Sequence, residues 1–370
     1  MKLTTKFESL LFKLTRSFQK ISIYHIVFIS MSSLLVSCSS VQYYSSLVHG
    51  HAEVLNQARE IDEVLADKTI DSKLRTNLQE MKQARLFAIG DLHLPDSGSY
   101  LHYSDLGRKY IAWNVIATRE FSIEAHEWCF LIAGCIQYRG YYSEDDATEF
   151  AVQLKLDGYD VYVAGVDAYS TLGWFDDPIL NTMMYRKPED RLNLLFHEMA
   201  HQKVYVNDDS KFNEAFATVV AEEGVVRWLK KHNKTIKVEA YKMRLKNKSR
   251  FYKLLIETRV ALEIIYLKDI NEDEMRALKK LAFAKLKEKY SVMRQDKTLL
   301  NFDLWMSQDL NNAHLALVAT YNEYVPFFKN KLAEHDGDLI SFYASVNQLA
   351  KQNLNARRQV ISASSAASTP

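Results

Sequence analysis

The stretch PEDRLNLLFHEMAH, residues 188–201, carries the strongest structural signal in the chain. It contains the pattern His-Glu-x-x-His, and the i, i+4 spacing places His197 and His201 on one face of a helix, where both imidazoles can bind one zinc ion. Glu198 lies between them and can take a proton from the water that such a metal would hold. At this histidine content the pattern arises by chance with a probability of about 2%. The alternative is a surface helix with two solvated histidines, so the flanking residues have to decide.

Those flanks predict a buried helix. Pro188 is suited to the first helical turn, where its missing N–H costs nothing, and the two acids after it favour the positive end of the helix dipole. Asn193 forms a polar stripe with the two histidines. The apolar residues recur at helical spacing on a separate face: Leu192, Leu195, Phe196 and Met199. A polar stripe between apolar neighbours is what an active-site helix requires.

A third metal ligand is predicted on the next helix. Residues 207–210, Asn-Asp-Asp-Ser, indicate a turn and a helix cap. In the helix that follows, Glu214 lies opposite the apolar face, and the short turn makes the two helices neighbours. Catalytic zinc usually has three protein ligands and one open position, which His197, His201 and Glu214 would provide. Thr218, one turn further on, could hold a ligand in place by a hydrogen bond.

These residues resemble those of a known group of enzymes. The His-Glu-x-x-His pattern followed by Asn213-Glu-x-Phe-Ala resembles the gluzincin metallopeptidases, and its spacing is similar to that of a bacterial family of predicted zinc aminopeptidase lipoproteins. The resemblance runs from about Val41 to Ala350. Further matching stretches are residues 129–135, 138–141, 158–162, 168–178 and 311–313.

The resemblance implies an α+β, predominantly helical fold. It would have a zincin-like catalytic core with a small antiparallel sheet and an active-site helix pair, flanked by helical N- and C-terminal parts. The scarcity of glycine (11) and proline (5) also favours long helices. We expect one domain at residues 38–360, with the metal-site core at about 139–232 and a helical part at about 233–358. Residues 361–370 are polar and of low complexity, and we predict a disordered tail there.

A strand is predicted before the metal-site helix. Residues 160–166 alternate in the way that a half-buried strand does. In gluzincins an edge strand at this point pairs with the substrate backbone, and residues 161–169 are the best candidate here. The alternative is an ordinary core strand.

The N-terminus predicts export and lipidation. Five basic residues precede an apolar stretch at 26–36, and Leu35-Val-Ser-Cys38 resembles a lipobox, so residues 1–37 are interpreted as a lipoprotein signal peptide. Cys38 would carry the lipid anchor. Ser39, where an aspartate would favour retention at the inner membrane, predicts a position in the cell envelope at the outer membrane, facing the periplasm. The alternatives are an uncleaved anchor and a plain signal peptide.

Charge and cysteine content fit that compartment. Removing residues 1–37 takes five of the 47 Lys and Arg residues and one of the 46 Asp and Glu residues, which leaves a net charge of −3. This charge balance gives no overall case for nucleic-acid binding. Without Cys38, Cys129 and Cys135 remain as an even pair that could form a disulfide in an oxidising compartment, or could be two buried apolar side chains.

The predicted function is a zinc-dependent peptidase, an aminopeptidase acting on peptide substrates, with Glu198 as general base. A zinc endopeptidase and a non-catalytic envelope lipoprotein that binds a partner are the alternatives. A donor to the oxyanion is expected among Tyr141, Tyr169 and Tyr321, although most of the 21 tyrosines must be structural. A free α-amino group needs an acid near the metal, and three precede the helix: Asp167, Asp176 and Asp177.

Overall fold

The computed structural model describes residues 41–130, 134–296 and 302–367. The chain divides into two compact units, residues 1–53 and 54–370. Residues 41–56 form one helix, α1, and the first unit ends within it at residue 53. The predicted signal peptide and the lipidation site at Cys38 lie outside the described residues. Across the described ranges, no helix combines the length and the apolar character needed to cross a membrane.

The second unit is mostly helical with small sheets, which confirms the predicted α+β class. Its strands are β1 (Arg59–Glu60), β2 (His102–Ser104), β3 (Ala112–Arg119), β4 (Trp128–Phe130), β5 (Gly134–Ile136), β6 (Arg139–Tyr141), β7 (Tyr159–Val166) and β8 (Ile179–Leu180). Its helices are α2 (Ile61–Ala66), α3 (Ser72–Gly90), α4 (Glu144–Leu156), α5 (Asn181–Met184), α6 (Pro188–His201), α7 (Ser210–Lys231), α8 (Thr235–Tyr266), α9 (Glu272–Met293), α10 (Asp303–Met306), α11 (Asn312–Asn322), α12 (Val325–Ala333), α13 (Leu339–Ala350) and α14 (Leu354–Ala367).

The antiparallel sheet before the metal-site helix has the strand order β6-β3-β7. Strand β7 pairs with β3 over its whole length, from Ala112 opposite Val166 to Arg119 opposite Tyr159. Among the described strands β7 pairs with β3 alone and lies at the edge of this sheet, which favours the edge-strand interpretation over the core-strand alternative. Part of the outer edge is covered, since Asn311 donates a hydrogen bond from Nδ2 to the carbonyl of Val161 at 3.0 Å.

The helix pair α6 and α7 lies in the main hydrophobic core. Helix α6 begins at Pro188 and buries the predicted apolar face, with Leu192, Leu195, Phe196 and Met199 at most 2% exposed. The two helices approach closely at Gly224 of α7, where a Cβ atom would lie 2.8 Å from the Phe196 ring. Four fully buried phenylalanines then fix α7 against α12 and α13: Phe212, Phe216, Phe328 and Phe342.

The C-terminal segment differs from the prediction. Helix α14 runs from Leu354 to Ala367, so residues 361–367 are helical where the sequence predicts a disordered tail. Ile361 is 2% exposed and anchors this helix to the core. The segment is rich in alanine, the strongest helix former, and low sequence complexity alone did not exclude a helix.

Candidate metal centre

Residues 202–209 form the turn between α6 and α7, and Asn213 holds this turn. Its Oδ1 accepts a hydrogen bond from the Val206 N–H at 2.8 Å, and its Nδ2 donates to the Val206 carbonyl at 2.7 Å. Helix α7 is capped by Asp209, which accepts from the Phe212 N–H and pairs with Arg357 at 2.9 Å in a buried ion pair. The side chain just before Glu214 therefore fixes the connection between the two helices that carry the predicted ligands.

The three predicted ligands meet. His197 Nε2 lies 3.0 Å from Glu214 Oε2 and 3.2 Å from His201 Nε2, and His201 Nε2 lies 3.7 Å from the same carboxylate oxygen. All three side chains are largely buried, with 14% or less of each exposed. In the described part of the chain, this is the one cluster of three or more His, Cys, Asp or Glu side chains whose spacing could hold a metal ion.

The pKa shifts of His201 and Glu214 suit a metal ligand set, because bound imidazole must be neutral and bound carboxylate ionised, whereas His197 would have to give up a proton on binding. Burial lowers the pKa of His201 to about 4. Burial alone would raise the pKa of Glu214, but the neighbouring His201 and His197 outweigh it, so this pKa lies below its usual value. For His197, burial acts to lower the pKa, whereas the hydrogen bond and charge of Glu214 raise it overall. Two nitrogens and one oxygen converging in this way match the donor set of a catalytic zinc site.

Glu198 lies beside the triad in a buried position, 7% exposed. Burial raises the pKa of Glu198 to about 7, although the charge of His197 acts in the opposite direction. A carboxylate with a pKa near neutrality can both accept and return a proton. This position agrees with the proton-transfer role predicted from the sequence.

The three candidate tyrosines occupy different places. Tyr321 lies within electrostatic range of the triad: burial raises its pKa, and the charges of Glu214 and Glu198 raise it further. Tyr169 lies beside Tyr142, whose hydroxyl donates to the Tyr169 oxygen at 2.9 Å. Tyr141 packs its ring against Phe150, between β6 and α4.

Thr218 does not make the hydrogen bond to a metal ligand that the sequence predicts. Within the described ranges its hydroxyl makes no hydrogen bond to the triad. The side chain that fixes the ligand-bearing turn is Asn213, through its two bonds to Val206. The second ring nitrogen of His201, Nδ1, is buried and has no hydrogen-bond partner among the described residues.

Two tyrosines near the site were not singled out from the sequence. The Tyr205 ring lies 6.4 Å from that of His201, and its pKa is raised by burial and by the charge of Glu214. Tyr100 is 2% exposed, and its pKa is raised by burial and by the charges of Glu198 and Asp177. Tyr100 also has a φ of 66°, in the left-handed region that few non-glycine residues adopt.

The three candidate acids before α6 are not equivalent. Asp167 pairs with Arg186 at 2.5 Å. Asp176 is exposed at the surface. Asp177 is 3% exposed and lies close enough to Glu198 for its charge to raise the pKa of that residue.

A small hairpin is hydrogen-bonded to the ligand-bearing turn. Strands β4 and β5 pair directly at Cys129 and Cys135, which the structure joins in a disulfide. The Cys135 N–H donates to Oδ1 of Asp208 at 2.7 Å. The hairpin is thus attached to the turn that leads from His201 to Glu214.

Comparison with known proteins identifies the family. Neither a curated protein nor a solved structure shows significant similarity to the chain. A family model described as "Putative aminopeptidase" matches residues 42–361, most of the chain and the whole of the metal-site region. The chain therefore belongs to this aminopeptidase family.

Proposed function

We propose that the chain is a zinc-dependent aminopeptidase, anchored by lipid in the bacterial cell envelope. The observation that supports this most directly is the convergence of His197, His201 and Glu214, with the buried carboxylate of Glu198 beside them. Family membership supports peptide hydrolysis as the reaction class. Zinc bound by the triad would lower the pKa of a water molecule to about 7 and polarise the scissile carbonyl.

The chain's own residues would perform the remaining steps. Glu198 accepts a proton from the attacking water as its oxygen bonds to the carbonyl carbon, and it returns this proton to the leaving nitrogen as the C–N bond breaks. The Tyr321 hydroxyl, which lies within electrostatic range of Glu214 and Glu198, is our candidate donor to the negative charge that develops on the carbonyl oxygen. The edge of β7 can pair with the peptide backbone, at positions beyond the Val161 carbonyl that Asn311 already occupies.

Metal analysis and two matched pairs of variants test the proposal. The purified chain should contain about one zinc ion and should hydrolyse amino-acid p-nitroanilides until a chelator is added. Glu198→Gln should retain zinc and lose hydrolysis by at least ~100-fold, whereas Glu189→Gln, at the start of the same helix, should change neither. Glu214→Gln should lose zinc, whereas Glu223→Gln on α7 should not. A Glu198→Gln variant with full activity, or a stable and active chain that binds no zinc, would refute the mechanism.

The oxyanion role of Tyr321 needs its own comparison. Tyr321→Phe should lower kcat by ~10- to 100-fold with little change in KM, because the hydroxyl would act mainly in the transition state. Tyr141→Phe is the control, since the Tyr141 ring packs against Phe150. Equal effects of the two substitutions on kcat would contradict the assignment.

The proposed location follows from the N-terminal sequence. The family match begins at residue 42, after the lipobox-like segment that ends at Cys38. Cys38→Ser should abolish incorporation of labelled fatty acid and move the protein from the membrane fraction to the soluble periplasmic fraction. Unchanged membrane association without acylation would instead favour an uncleaved anchor.

A further inference from the structure

Asp177 is a buried acid with one unused oxygen. Its Oδ2 accepts a hydrogen bond from the Thr171 N–H at 2.8 Å and one from the Ser170 hydroxyl at 3.5 Å. Its Oδ1 is buried and makes no hydrogen bond to any described residue. No Lys or Arg side chain in the described ranges forms an ion pair with it. Oδ2 of this carboxylate therefore caps a loop, whereas Oδ1 makes no hydrogen bond that would stabilise the fold.

Hydrogen bonds connect Asp177 to the end of the metal-site helix. The Ser99 hydroxyl oxygen accepts from the Asp177 N–H at 3.2 Å and from Nε2 of Gln202 at 3.1 Å. Gln202 directly follows the ligand His201. The Tyr100 N–H donates to the Asp177 carbonyl at 2.6 Å. Asp177 is thus held at a fixed position relative to the metal centre by groups from three separate segments.

The segment at residues 98–100 packs against the loop that carries Asp177. A Cβ atom at Gly98 would overlap the carboxylate of Asp176, so the segment with Ser99 lies in close contact with the loop that carries Asp177. The Tyr100 hydroxyl is also buried, with the Ser170 side chain as a hydrogen-bonding neighbour, and it lies within the electrostatic reach of both Asp177 and Glu198. The unpartnered Oδ1 of Asp177 and the buried Tyr100 hydroxyl therefore both lie within electrostatic range of Glu198.

A buried carboxylate without a partner is costly, because it has lost its hydration and gained no counter-charge. A cationic ligand that donates hydrogen bonds would offset this cost. The two neighbouring acids do not compete for such a ligand, since Asp167 already pairs with Arg186 and Asp176 faces solvent. The feature is specific to Asp177.

We propose that Oδ1 of Asp177, with the Tyr100 hydroxyl beside it, binds the protonated α-amino group of the substrate's first residue. This assignment rests on the proposed peptidase function and names its substrate class, peptides with a free N-terminus. An ammonium held at Asp177 presents the first peptide bond to Glu198, so one residue is removed in each turnover. Acetylation of the substrate removes the charge and the donors that Asp177 would bind.

The test compares Asp177→Asn with Asp176→Asn on two substrates, alanine p-nitroanilide and N-acetylalanine p-nitroanilide. The asparagine at 177 can still accept from the Thr171 N–H, so the loop cap is retained while the charge is lost. Wild type should prefer the free amine by at least ~100-fold in kcat/KM, and Asp177→Asn should lose about that factor on the free amine alone. Asp176→Asn should keep the preference. A purely structural defect would lower both rates together and leave their ratio unchanged.

Binding without turnover separates this proposal from the peptidase function. Calorimetry with L-leucinamide and N-acetyl-L-leucinamide on the zinc-loaded chain should show binding of the free amine, and Asp177→Asn should abolish it. If the chain hydrolyses neither substrate but binds L-leucinamide through Asp177, the peptidase function fails and the amine site stands. If the chain hydrolyses both substrates equally, or if Asp177→Asn keeps the preference, the amine site fails and the peptidase function stands. A chain that neither hydrolyses nor binds these compounds refutes both.

Discussion

Replacement of Asn213 by alanine should weaken both the fold and the metal site, and the structure allows the two effects to be separated. Asn213 is 2% exposed and makes two hydrogen bonds to the backbone of Val206. Each bond contributes about 1 kcal/mol, and the groups left behind are partly buried, so Asn213→Ala should lower the free energy of unfolding by about 2–3 kcal/mol. The turn between α6 and α7 would then be free to shift, and with it Glu214 relative to His197 and His201.

A matched control exists elsewhere in the fold. Asn181 is 5% exposed and accepts from the Leu106 N–H and donates to the Arg108 carbonyl, both at 3.0 Å. Asn181→Ala therefore removes the same number of side chain–backbone bonds at a similar depth, and it should cost a similar free energy of unfolding. It does not touch the turn that carries the ligands. Any effect of Asn213→Ala beyond that of Asn181→Ala reports on the metal site.

Urea denaturation gives the free energy of unfolding, and competition with a fluorescent chelator gives the zinc affinity. Asn213→Ala should weaken zinc binding by ~10- to 100-fold, the range expected when a group that orients a metal ligand is removed. Asn181→Ala should leave zinc binding unchanged. Equal losses of zinc affinity in both variants would show that general destabilisation is responsible, and no loss in either would show that Asn213 does not position Glu214.

Three further predictions concern stability. Because burial raises the pKa of Asp177 from 3.8 to about 6 in the folded chain, the stability that its protonated form provides is lost as pH rises from about 4 through 6. Asp177→Asn should therefore be more stable than wild type at pH 7, by up to about 3 kcal/mol. Urea titrations at pH 4 and pH 7 should show that this difference vanishes in acid. Arg357→Ala would leave Asp209 buried without its partner and should lower the free energy of unfolding by about 3–5 kcal/mol, measured by urea denaturation; a loss below about 1 kcal/mol would contradict a structural role for this pair. Replacing both Cys129 and Cys135 by serine should lower the free energy of unfolding by about 2 kcal/mol, since the disulfide closes a short loop. Unchanged thermal stability, together with free thiols on both cysteines of the wild type in a thiol assay, would refute the bond.

The helix pair and its ligands could be predicted because the signals are local. Helix spacing alone brings His197 and His201 together, and Pro188 marks the start of α6 where the structure has it. The cap at Asp209 and the short turn bring α7 alongside α6, so the position of Glu214 follows from nearby sequence. Strand β7 was predicted in the same way, from alternation over residues 160–166, whereas its position at the sheet edge was implied only by the family resemblance.

The supporting groups could not be predicted in this way, because their contacts join distant parts of the chain. Nothing near Thr218 or Asn213 in the sequence says which of the two fixes the turn; the answer depends on where the backbone of Val206 lies once both helices have packed. The same applies to the acids before α6. Asp167, Asp176 and Asp177 are similar in sequence, and they become different only when Arg186 pairs with the first and solvent surrounds the second.

The surroundings of Asp177 are formed by residues from distant parts of the chain. The residues that enclose it, Ser99 and Tyr100, come from more than 70 positions earlier in the chain, and Gln202 comes from the far end of α6. If stability alone determined the residue at position 177, an uncharged side chain would be expected, since asparagine could make the same cap without burying a charge. An acid at this position should lower the stability of the folded chain at neutral pH, and its Oδ1 makes no hydrogen bond to a described residue. This loss of stability is understandable if the buried charge binds the amino group of the substrate. Local sequence patterns could not identify Asp177, because its surroundings come from distant parts of the chain.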